Sequence, residues 1–219
     1  MADLNELTNR FSAALRQLPL VAILRGIKPS EAQGVGRVLY EKGFRLIEVP
    51  LNSPDPFDSI AAIRRSLPDD ALVGAGTVLS VDNVTALRQC GGEVVVMPHS
   101  DGGVIRAAKD AGLLCVPGVV TPTEAFSALA AGADALKLFP AELVSPQILN
   151  AIRVVLPATT RLLPVGGIAP NNMKPFVDAG AAGFGLGSAL YSPGMNIDEV
   201  ARRAGDFVSA WREIAPASA

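Results

Sequence analysis

Short apolar runs alternate with longer amphipathic stretches along most of this chain. The runs are five to seven residues long, rich in Val, Ile and Leu, and bounded by turn residues, which is typical of buried β-strands. The stretches between them carry apolar residues at helical spacing, which predicts a helix after each strand. The predicted strands are Leu20–Arg25, Arg45–Pro50, Ala71–Thr77, Glu93–Met97, Leu113–Pro117, Ala135–Phe139, Arg161–Val165 and Ala182–Leu186.

A further amphipathic stretch precedes the first strand, at about residues 3–17, with Leu4, Leu7 and Phe11 at helical spacing. We expect this N-terminal helix to cover the bottom of the strand array. The helices that follow the strands are predicted at Pro29–Lys42, Pro56–Leu67, Val81–Cys90, a stretch ending at Ala111, Thr123–Ala131, Pro146–Val155, Pro170–Ala179 and about Asp198–Trp211.

The number of strand–helix units predicts the fold class. About eight units in 219 residues indicate one α/β domain over residues 1–219, a (β/α)8 TIM barrel with an N-terminal helix. A doubly wound open sheet would need a glycine-rich phosphate loop after its first strand, and Ile23-Leu24-Arg25-Gly26 has no such pattern. Only the tail Pro216–Ala219 has the composition of a linker.

Composition narrows the classes of partner and chemistry. With 19 basic and 21 acidic residues the net charge is −2, and the absence of a basic block argues against a nucleic-acid partner. No apolar stretch is long enough to span a bilayer and the N-terminus is polar, so we expect no membrane contact and a cytoplasmic location. Cys90 and Cys115 lie far apart and His99 is the only histidine, which argues against a zinc site or a Ser-His-Asp triad.

The run Ala135–Pro140 places a lysine in the middle of a predicted buried strand. Alternation puts Ala135, Lys137 and Phe139 on one face of that strand. A buried ammonium must be paired, solvated in a cavity or held partly neutral, and a neutral, desolvated lysine is a nucleophile for carbonyl groups. The structural alternative is a strand-end lysine whose ammonium reaches solvent.

Other polar residues lie at strand ends, where barrel enzymes place their chemistry. Arg25 ends the first strand, Glu48 lies near the end of the second and Thr77 ends the third. Alternation allows all three to point into the barrel mouth, with Glu48 opposite Lys137 because strands two and six are opposite in an eight-stranded ring. The structural alternatives are an ion-pair partner for Glu48, a loop anchor for Arg25 and a backbone cap for Thr77. We favour catalysis for Glu48 and anion binding for Arg25, and leave Thr77 open.

Glycines mark two further features of the predicted mouth. Gly166-Gly167 and Gly187-Ser188 follow strands seven and eight, where backbone amides beside helix N-termini commonly bind phosphate. The missing side chains of Gly74-Ala75-Gly76 are expected to leave room for a ligand. His99 ends strand four and is interpreted as a rim residue, because its sequence offers no partner.

As a set and in their order, five motifs resemble those of the 2-keto-3-deoxy-6-phosphogluconate / 2-keto-3-deoxy-6-phosphogalactonate aldolases. The resemblance runs from about Leu20 to Trp211, nearly the whole chain. The motifs are Ile23-Leu24-Arg25-Gly26, Ile47-Glu48-Val49-Pro50-Leu51-Asn52-Ser53-Pro54, Gly74-Ala75-Gly76-Thr77-Val78, Ala135-Leu136-Lys137-Leu138-Phe139-Pro140 and Val165-Gly166-Gly167-Ile168.

The resemblance implies a class I, Schiff-base aldolase on a (β/α)8 barrel. It implies a homotrimer without metal or cofactor that acts on a small phosphorylated keto acid. By resemblance, Lys137 forms the imine with the keto carbon and Glu48 shuttles protons. The implied substrate contacts are Arg25 and Thr77 at the keto-acid end, and Gly166, Gly167, Gly187 and Ser188 at the phosphate.

Two positions bear on the preferred substrate epimer. Gluconate enzymes of this family tend to have arginine where Asn52 stands and threonine where Val165 stands, so the chain looks closer to the galactonate branch and to galactonate catabolism. One departure is His99, where that branch tends to carry asparagine. A sugar-phosphate isomerase or epimerase on a TIM barrel is the alternative enzyme, and a non-catalytic phosphate-binding barrel is a third class.

Overall fold

The structure is a computed structural model that describes residues 4–215. Residue 3, the first residue of the predicted N-terminal helix, and the predicted tail Pro216–Ala219 lie outside the described residues. The strands are β1 Leu20–Ile23, β2 Leu46–Pro50, β3 Leu72–Gly76, β4 Val94–Val96, β5 Leu114–Val116, β6 Gly118–Val119, β7 Leu136–Leu138, β8 Leu162–Pro164 and β9 Phe184–Leu186. The helices are α1 Leu4–Gln17, α2 Pro29–Glu41, α3 Pro56–Ser66, α4 Val81–Gln89, α5 Gly102–Asp110, α6 Pro122–Ala130, α7 Pro146–Val155, α8 Met173–Asp178 and α9 Ile197–Ile214.

Local sequence explains where many helices begin. Proline occupies the first turn of α2, α3, α6 and α7, where its fixed φ suits a helix and its missing N–H is not needed. Side chains that precede α4, α5, α6, α7 and α9 accept hydrogen bonds from the free backbone N–H groups of the first turn. The predicted alternation of strands and helices is therefore confirmed. Among residues 4–215, no helix combines the length and apolar character needed to cross a membrane.

Two sheets are present, and every strand pairing in them is parallel. The larger sheet has the order β5-β4-β3-β2-β1-β9 and curls into a half-barrel, and the smaller has the order β6-β7-β8. Between the two sheets, Val165 and Gly185 form an isolated parallel bridge, and the Ala182 N–H donates to the Leu162 carbonyl at 2.9 Å. The predicted parallel α/β architecture is thus present.

The fifth predicted strand, Leu113–Pro117, is present as β5. A further strand that was not predicted, β6, follows Pro117 and has different partners. Proline has no N–H to donate to a ladder, which accounts for the break. The Pro117 carbonyl still accepts from the Lys137 N–H at 2.9 Å, so this residue connects β7 to the chain between the two sheets.

The apolar side chains form two clusters, one on each face of the strands. The outer cluster lies between strands and helices and includes Ile47, Val49, Leu136 and Leu138. The inner cluster joins the α1 residues Leu7, Phe11, Ala14 and Leu15 to Leu46, Leu72, Val94, Val96, Leu114, Val116, Ala135 and Leu163. Because several of these are the first residues of their strands, α1 packs across the amino ends of the strands, as the sequence predicted.

Candidate active site

Lys137 occupies the centre of β7 and lies on the inner face of the strand. Only 6% of the residue is exposed. Its Nζ lies 4.6 Å from the centroid of the Phe139 ring, and Ala135 belongs to the inner cluster. The predicted alternation of Ala135, Lys137 and Phe139 is confirmed, because the residues between them, Leu136 and Leu138, belong to the outer cluster. The solvent-directed alternative does not fit a lysine this deeply buried.

Glu48 occupies the centre of β2 and is 3% exposed. Its Oε2 is buried and has no hydrogen-bond partner among the described residues. Within residues 4–215, no ion pair of 4.0 Å or less joins Glu48 to Lys137. The closed ion pair considered as the structural alternative for Glu48 is therefore absent from this structure.

Burial dominates the electrostatics of both groups. Burial raises the pKa of the Glu48 carboxyl above its ordinary value, and the nearby charges of Lys137 and Arg25 only partly offset that rise. Burial lowers the pKa of the Lys137 ammonium below its ordinary value; the Glu48 charge opposes this and Arg25 reinforces it. The arrangement favours a neutral amine close to a carboxyl group that can take and give a proton.

Two cavities meet at Lys137. The inner cavity has a volume of about 30 Å³, is lined mostly by the inner cluster, and also contacts Glu48, Val165 and Gly185. The mouth cavity has a volume of about 300 Å³ and lies at the carboxyl ends of the strands. The mouth cavity is lined by Lys137 and by Ile23, Arg25, Phe139, Glu142, Val165, Gly166, Gly167, Ile168, Ala169, Gly187, Ser188 and Ala189. The space therefore suits a small molecule whose carbonyl group lies against the amine.

Arg25 is at the mouth cavity, as predicted, and is fixed by a neighbour. Its guanidinium Nη1 donates to Oδ1 of Asn52 at 2.7 Å, although both side chains are near solvent. A second contact ties the same loops together, since the Gly26 N–H donates to Oγ of the buried Ser53 at 2.8 Å. Asn52 lines neither cavity, so its contact with the mouth cavity is indirect, through the hydrogen bond to Arg25.

Thr77 and His99 are not brought to Lys137. Neither residue lines the inner or the mouth cavity. β3 ends at Gly76, and Thr77 has left-handed backbone with φ of 55°, so the alternation of the strand does not extend to it. His99 is exposed, which agrees with a position at the rim. Whether Thr77 contacts a bound substrate stays a prediction.

The space expected at Gly74 and Gly76 is occupied by the protein itself. A Cβ on Gly74 would lie 2.7 Å from the backbone carbonyl carbon of Val94, because β4 approaches closely there. A Cβ on Gly76 would lie 2.6 Å from Cδ of Glu48 and would overlap Oε2. The expectation that these glycines leave room for a ligand was therefore wrong.

Gly166 and Gly167 line the mouth cavity, but the predicted reason for an anion site there needs correction. Helix α8 begins at Met173 instead of Pro170, and α9 begins only at Ile197, so neither glycine pair directly precedes a helix. The Asn172 side chain accepts from the Ala169 N–H at 2.9 Å and donates to the Gly167 carbonyl at 2.7 Å, which stabilises a turn in place of the first helical residues. Positive φ values of 114° and 62° at Gly166 and Gly167 shape this turn.

Comparison with known proteins agrees with this geometry. The family model described as "Aldolase: KDPG and KHG aldolase" matches residues 11–203. The chain belongs to the KDPG and KHG aldolase family. It is 49% identical over 186 residues, 85% of this chain and 88% of the relative, to the "Probable 2-dehydro-3-deoxy-6-phosphogalactonate aldolase" of Rhizobium meliloti (strain 1021). It is 46% identical over 197 residues, 90% of this chain and 96% of the relative, to the "2-dehydro-3-deoxy-6-phosphogalactonate aldolase" of Escherichia coli (strain K12).

Within this aldolase family, the chain is more similar to the galactonate enzymes than to a gluconate enzyme. Identity to the "2-dehydro-3-deoxy-phosphogluconate aldolase" of Treponema pallidum (strain Nichols) is 30% over 164 residues, 75% of this chain and 78% of the relative. The resemblance predicted from the five motifs, including its closer similarity to the galactonate branch, is confirmed. The isomerase or epimerase alternative finds no support in these relatives, which are named as aldolases.

Solved structures give the same result for the aldolase fold. The structure described as "Native KDPGal structure" matches with a TM-score of 0.89 and 46% identity, over 90% of this chain and 96% of the other. A cube-shaped protein cage, designed by fusing symmetric oligomeric domains, matches with a TM-score of 0.88 and 46% identity, over 90% of this chain and 73% of the other.

One polar residue of the candidate site was missed by the sequence reasoning. Glu142 lines the mouth cavity, and its carboxylate lies over the turn of Gly166 and Gly167, where a Cβ on Gly166 would be 3.0 Å from Cδ of Glu142. The available signal was its position two residues after Pro140, in the segment that leaves β7. Among residues 4–215, no group of three or more His, Cys, Asp or Glu side chains is arranged to hold a metal ion.

Proposed function

We propose that this chain is a class I aldolase that cleaves 2-keto-3-deoxy-6-phosphogalactonate, also named 2-dehydro-3-deoxy-6-phosphogalactonate, to pyruvate and glyceraldehyde 3-phosphate. The observation that carries the proposal is Lys137. Its amine is buried, forms no ion pair among the described residues, has a lowered pKa and opens onto a cavity of about 300 Å³. Identities of 46–49% to enzymes named for this activity support the choice of reaction.

Lys137 supplies the nucleophile in the proposed mechanism. Its neutral Nζ adds to the C2 ketone of the substrate, and proton transfers and loss of water convert the adduct to an iminium ion. The positive nitrogen then accepts the electron pair of the C3–C4 bond as that bond breaks. Because burial lowers the pKa of Lys137, a larger fraction of its amine is neutral at a given pH than that of an exposed lysine.

Glu48 supplies the proton transfers in the proposed mechanism. As the carboxylate it removes the proton of the C4 hydroxyl, so the C3–C4 bond breaks and glyceraldehyde 3-phosphate leaves. The remaining enamine takes a proton at C3, and hydrolysis of the resulting iminium releases pyruvate and regenerates the amine. The raised pKa of Glu48 supports this role, because a carboxyl group with a pKa nearer neutrality both accepts and donates protons effectively.

The remaining predicted residues are assigned to substrate binding and specificity. Arg25, positioned by Asn52, is proposed to bind the keto-acid carboxylate together with Thr77. The turns at Gly166, Gly167, Gly187 and Ser188 are proposed to bind the phosphate with backbone N–H groups. Val165 lines both cavities, which supports its proposed part in epimer preference.

We also propose that the two sheets close into one (β/α)8 barrel and that residues 1–219 are a single domain. The Val165–Gly185 bridge on one side and the Lys137–Pro117 hydrogen bond on the other support closure of the ring. The free cysteines Cys90 and Cys115 support the proposed cytoplasmic location.

A homotrimer is the proposed assembly. The designed cage described above contains symmetric oligomeric domains. On this chain the outer face of α7 exposes Ile148, Val154 and Val155, and Leu143 lies just before that helix with 69% exposure. Val154→Glu is expected to shift the protein to a smaller species in light scattering after size exclusion.

Reduction with borohydride in the presence of pyruvate tests the proposed chemistry. The expected result is a reduced pyruvyl adduct on Lys137, located by peptide mass spectrometry, and loss of activity in parallel with adduct formation. A protein that binds pyruvate without forming the adduct would contradict the proposal. Rates with the galactonate and gluconate epimers, measured side by side, then test the substrate preference, and we expect the galactonate epimer to be faster.

A further inference from the structure

The Glu48 carboxylate is positioned without a hydrogen bond to its buried oxygen. Oε2 is buried and has no hydrogen-bond partner among residues 4–215, and the residue is 3% exposed. A flexible glutamate without such a bond needs another restraint if it is to hold one geometry. The charges of Lys137 and Arg25 attract the carboxylate, and the surfaces that enclose it fix its position.

Gly76 provides one of these surfaces. The three atoms nearest to the position of a Cβ on Gly76, its chain neighbours aside, all belong to Glu48: Oε2, which would overlap it, Cδ at 2.6 Å and Oε1 at 3.2 Å. Every other such atom of the described residues is at least as far away as Oε1. The carboxylate therefore fills the space that a side chain at position 76 would take.

The backbone at Gly76 has little freedom to move away. Pro50 and Gly76 are partners in the β2–β3 ladder, and the Leu51 N–H donates to the Gly76 carbonyl at 2.8 Å. β3 also pairs with β4 on its other side. An added methyl group would displace the Glu48 side chain more readily than the strand.

We propose that Gly76 is a positioning residue for proton transfer. The Glu48 carboxylate occupies the space that is left free because position 76 has no side chain, and this space is called its seat. Gly76 does not touch the reacting atoms and acts only through Glu48. The inference rests on the proposed function for its catalytic consequence, but the packing of Gly76 against Glu48 stands independently of the reaction.

The first experiment compares Gly76→Ala with the wild-type enzyme in three assays. Cleavage turnover and the exchange of pyruvate methyl protons with D2O, followed by NMR, both depend on Glu48 and are expected to fall about 10²-fold. Borohydride trapping of pyruvate on Lys137 is expected to continue. The acid limb of the pH profile of turnover is expected to move to lower pH, because a carboxylate forced out of its buried seat loses part of the burial that raises its pKa.

Gly205→Ala is the matched control. Gly205 lies in α9, and a Cβ there meets nothing within 4 Å, so all three assays are expected to match the wild type. Glu48→Asp in the Gly76→Ala background provides a rescue test. Its shorter side chain withdraws from position 76, so the double variant is expected to be no slower than Glu48→Asp alone.

Thermal stability distinguishes a specific contact between Gly76 and Glu48 from a general requirement for glycine at position 76. Gly76→Ala is expected to lower the Tm when Glu48 is present, and to leave the Tm unchanged in a Glu48→Ala background, where the obstructing atoms are gone. If Gly76→Ala does not fold alone, it is expected to fold in the Glu48→Ala background. Failure to fold in both backgrounds would overturn the proposal.

Other results also decide the question. Wild-type rates of exchange in Gly76→Ala, or an equal Tm loss with and without the Glu48 side chain, would refute the positioning role. Loss of borohydride trapping in a folded Gly76→Ala variant would show that the substitution acts on Lys137 and would equally refute it. If the wild-type enzyme itself forms no adduct with pyruvate, the proposed function fails, while the Tm comparison still tests the contact between Gly76 and Glu48.

Discussion

Charged side chains form ion pairs at the amino ends of the strands, whereas those that line the two cavities form none within residues 4–215. At the amino ends, Glu93 accepts hydrogen bonds from Arg10 at 2.7 Å and Arg64 at 3.1 Å, and both arginines also donate to the Ala71 carbonyl. There too, Lys109 contacts Asp134 at 2.6 Å. Around the two cavities, within residues 4–215, no ion pair includes Lys137, Glu48 or Glu142.

The difference separates residues that maintain the fold from residues available for chemistry. A buried charge without a partner lowers the free energy of unfolding, and removing one member of a buried pair does the same because the other charge is left unpaired. The charges at the amino ends are paired and avoid this loss of stability, whereas Lys137 and Glu48 form no ion pair within residues 4–215. A lysine and a glutamate that carry shifted pKa values without pairing are suited to reaction.

Lys137→Met gives the largest expected effect on activity. Methionine keeps the length of the buried side chain but removes the amine, so turnover and borohydride trapping are expected to disappear while the Tm stays equal or rises. Lys109→Met is the matched control at the amino ends, where it leaves Asp134 without its cation and is expected to lower the Tm while active-site chemistry continues. A Tm loss in Lys137→Met as large as that in Lys109→Met would contradict the comparison.

Glu48→Gln is expected to reduce turnover about 10²–10⁴-fold, since the amide keeps the shape but not the proton transfer. Its effect on stability should depend on pH. Because burial raises the pKa of Glu48, the folded protein binds this proton more tightly than the unfolded chain, so wild-type stability falls as pH rises from the ordinary glutamate pKa through the raised one. The Tm advantage of Glu48→Gln is expected to grow across that window and then level off. A constant Tm difference over the same pH series would argue against a raised pKa.

Glu93→Gln tests how much the ion pairs at the amino ends of the strands contribute to stability. Removing this carboxylate leaves Arg10, whose side chain is 19% exposed, without its counter-charge. Arg64, 15% exposed, keeps only the solvent-exposed Asp69 at 3.8 Å. A loss of about 3 kcal/mol in the free energy of unfolding is expected, which lowers the Tm by about 6–12 °C in a domain of this size. Thermal unfolding gives the Tm, and kcat measured below the transition is expected to match the wild type. A drop in kcat would show that the two ends are coupled.

Glu142→Gln has the smallest expected effect. The Glu142 carboxylate lies over the turn proposed to bind phosphate, so its charge opposes an anion there by about 1 kcal/mol. Neutralising it is expected to lower the KM for the phosphorylated substrate about fivefold and to leave trapping of unphosphorylated pyruvate unchanged. An increase in KM would indicate that Glu142 accepts a hydrogen bond from the substrate.

The sequence was sufficient for features that depend on local periodicity. The two-residue repeat of a strand placed Lys137 and Glu48 on the inner face, because their apolar neighbours had to face the helices. The repetition of strand and helix gave the parallel α/β architecture, and the spacing of Leu7 and Phe11 placed α1 against the strands.

Features that depend on contacts between distant segments could not be predicted from local periodicity. The side chain of Glu48 fills the space above Gly76 only because β2 and β3 are neighbours in a particular register. The start of α8 is delayed by the hydrogen bonds of Asn172, and Thr77 leaves the strand through a left-handed backbone that its residue type does not favour. The change of partner at Pro117 had a visible signal, since the proline that ends the predicted strand marks a break in pairing.

The seal that α1 forms across the amino ends has a consequence for the order of events in turnover. With that end closed by the inner cluster, substrate enters and both products depart through the same opening. In the proposed mechanism pyruvate is attached to Lys137, deeper than the phosphorylated aldehyde, so the aldehyde must diffuse out first. Pyruvate is then the last product to dissociate, and such a sequence makes it a competitive inhibitor of the cleavage reaction.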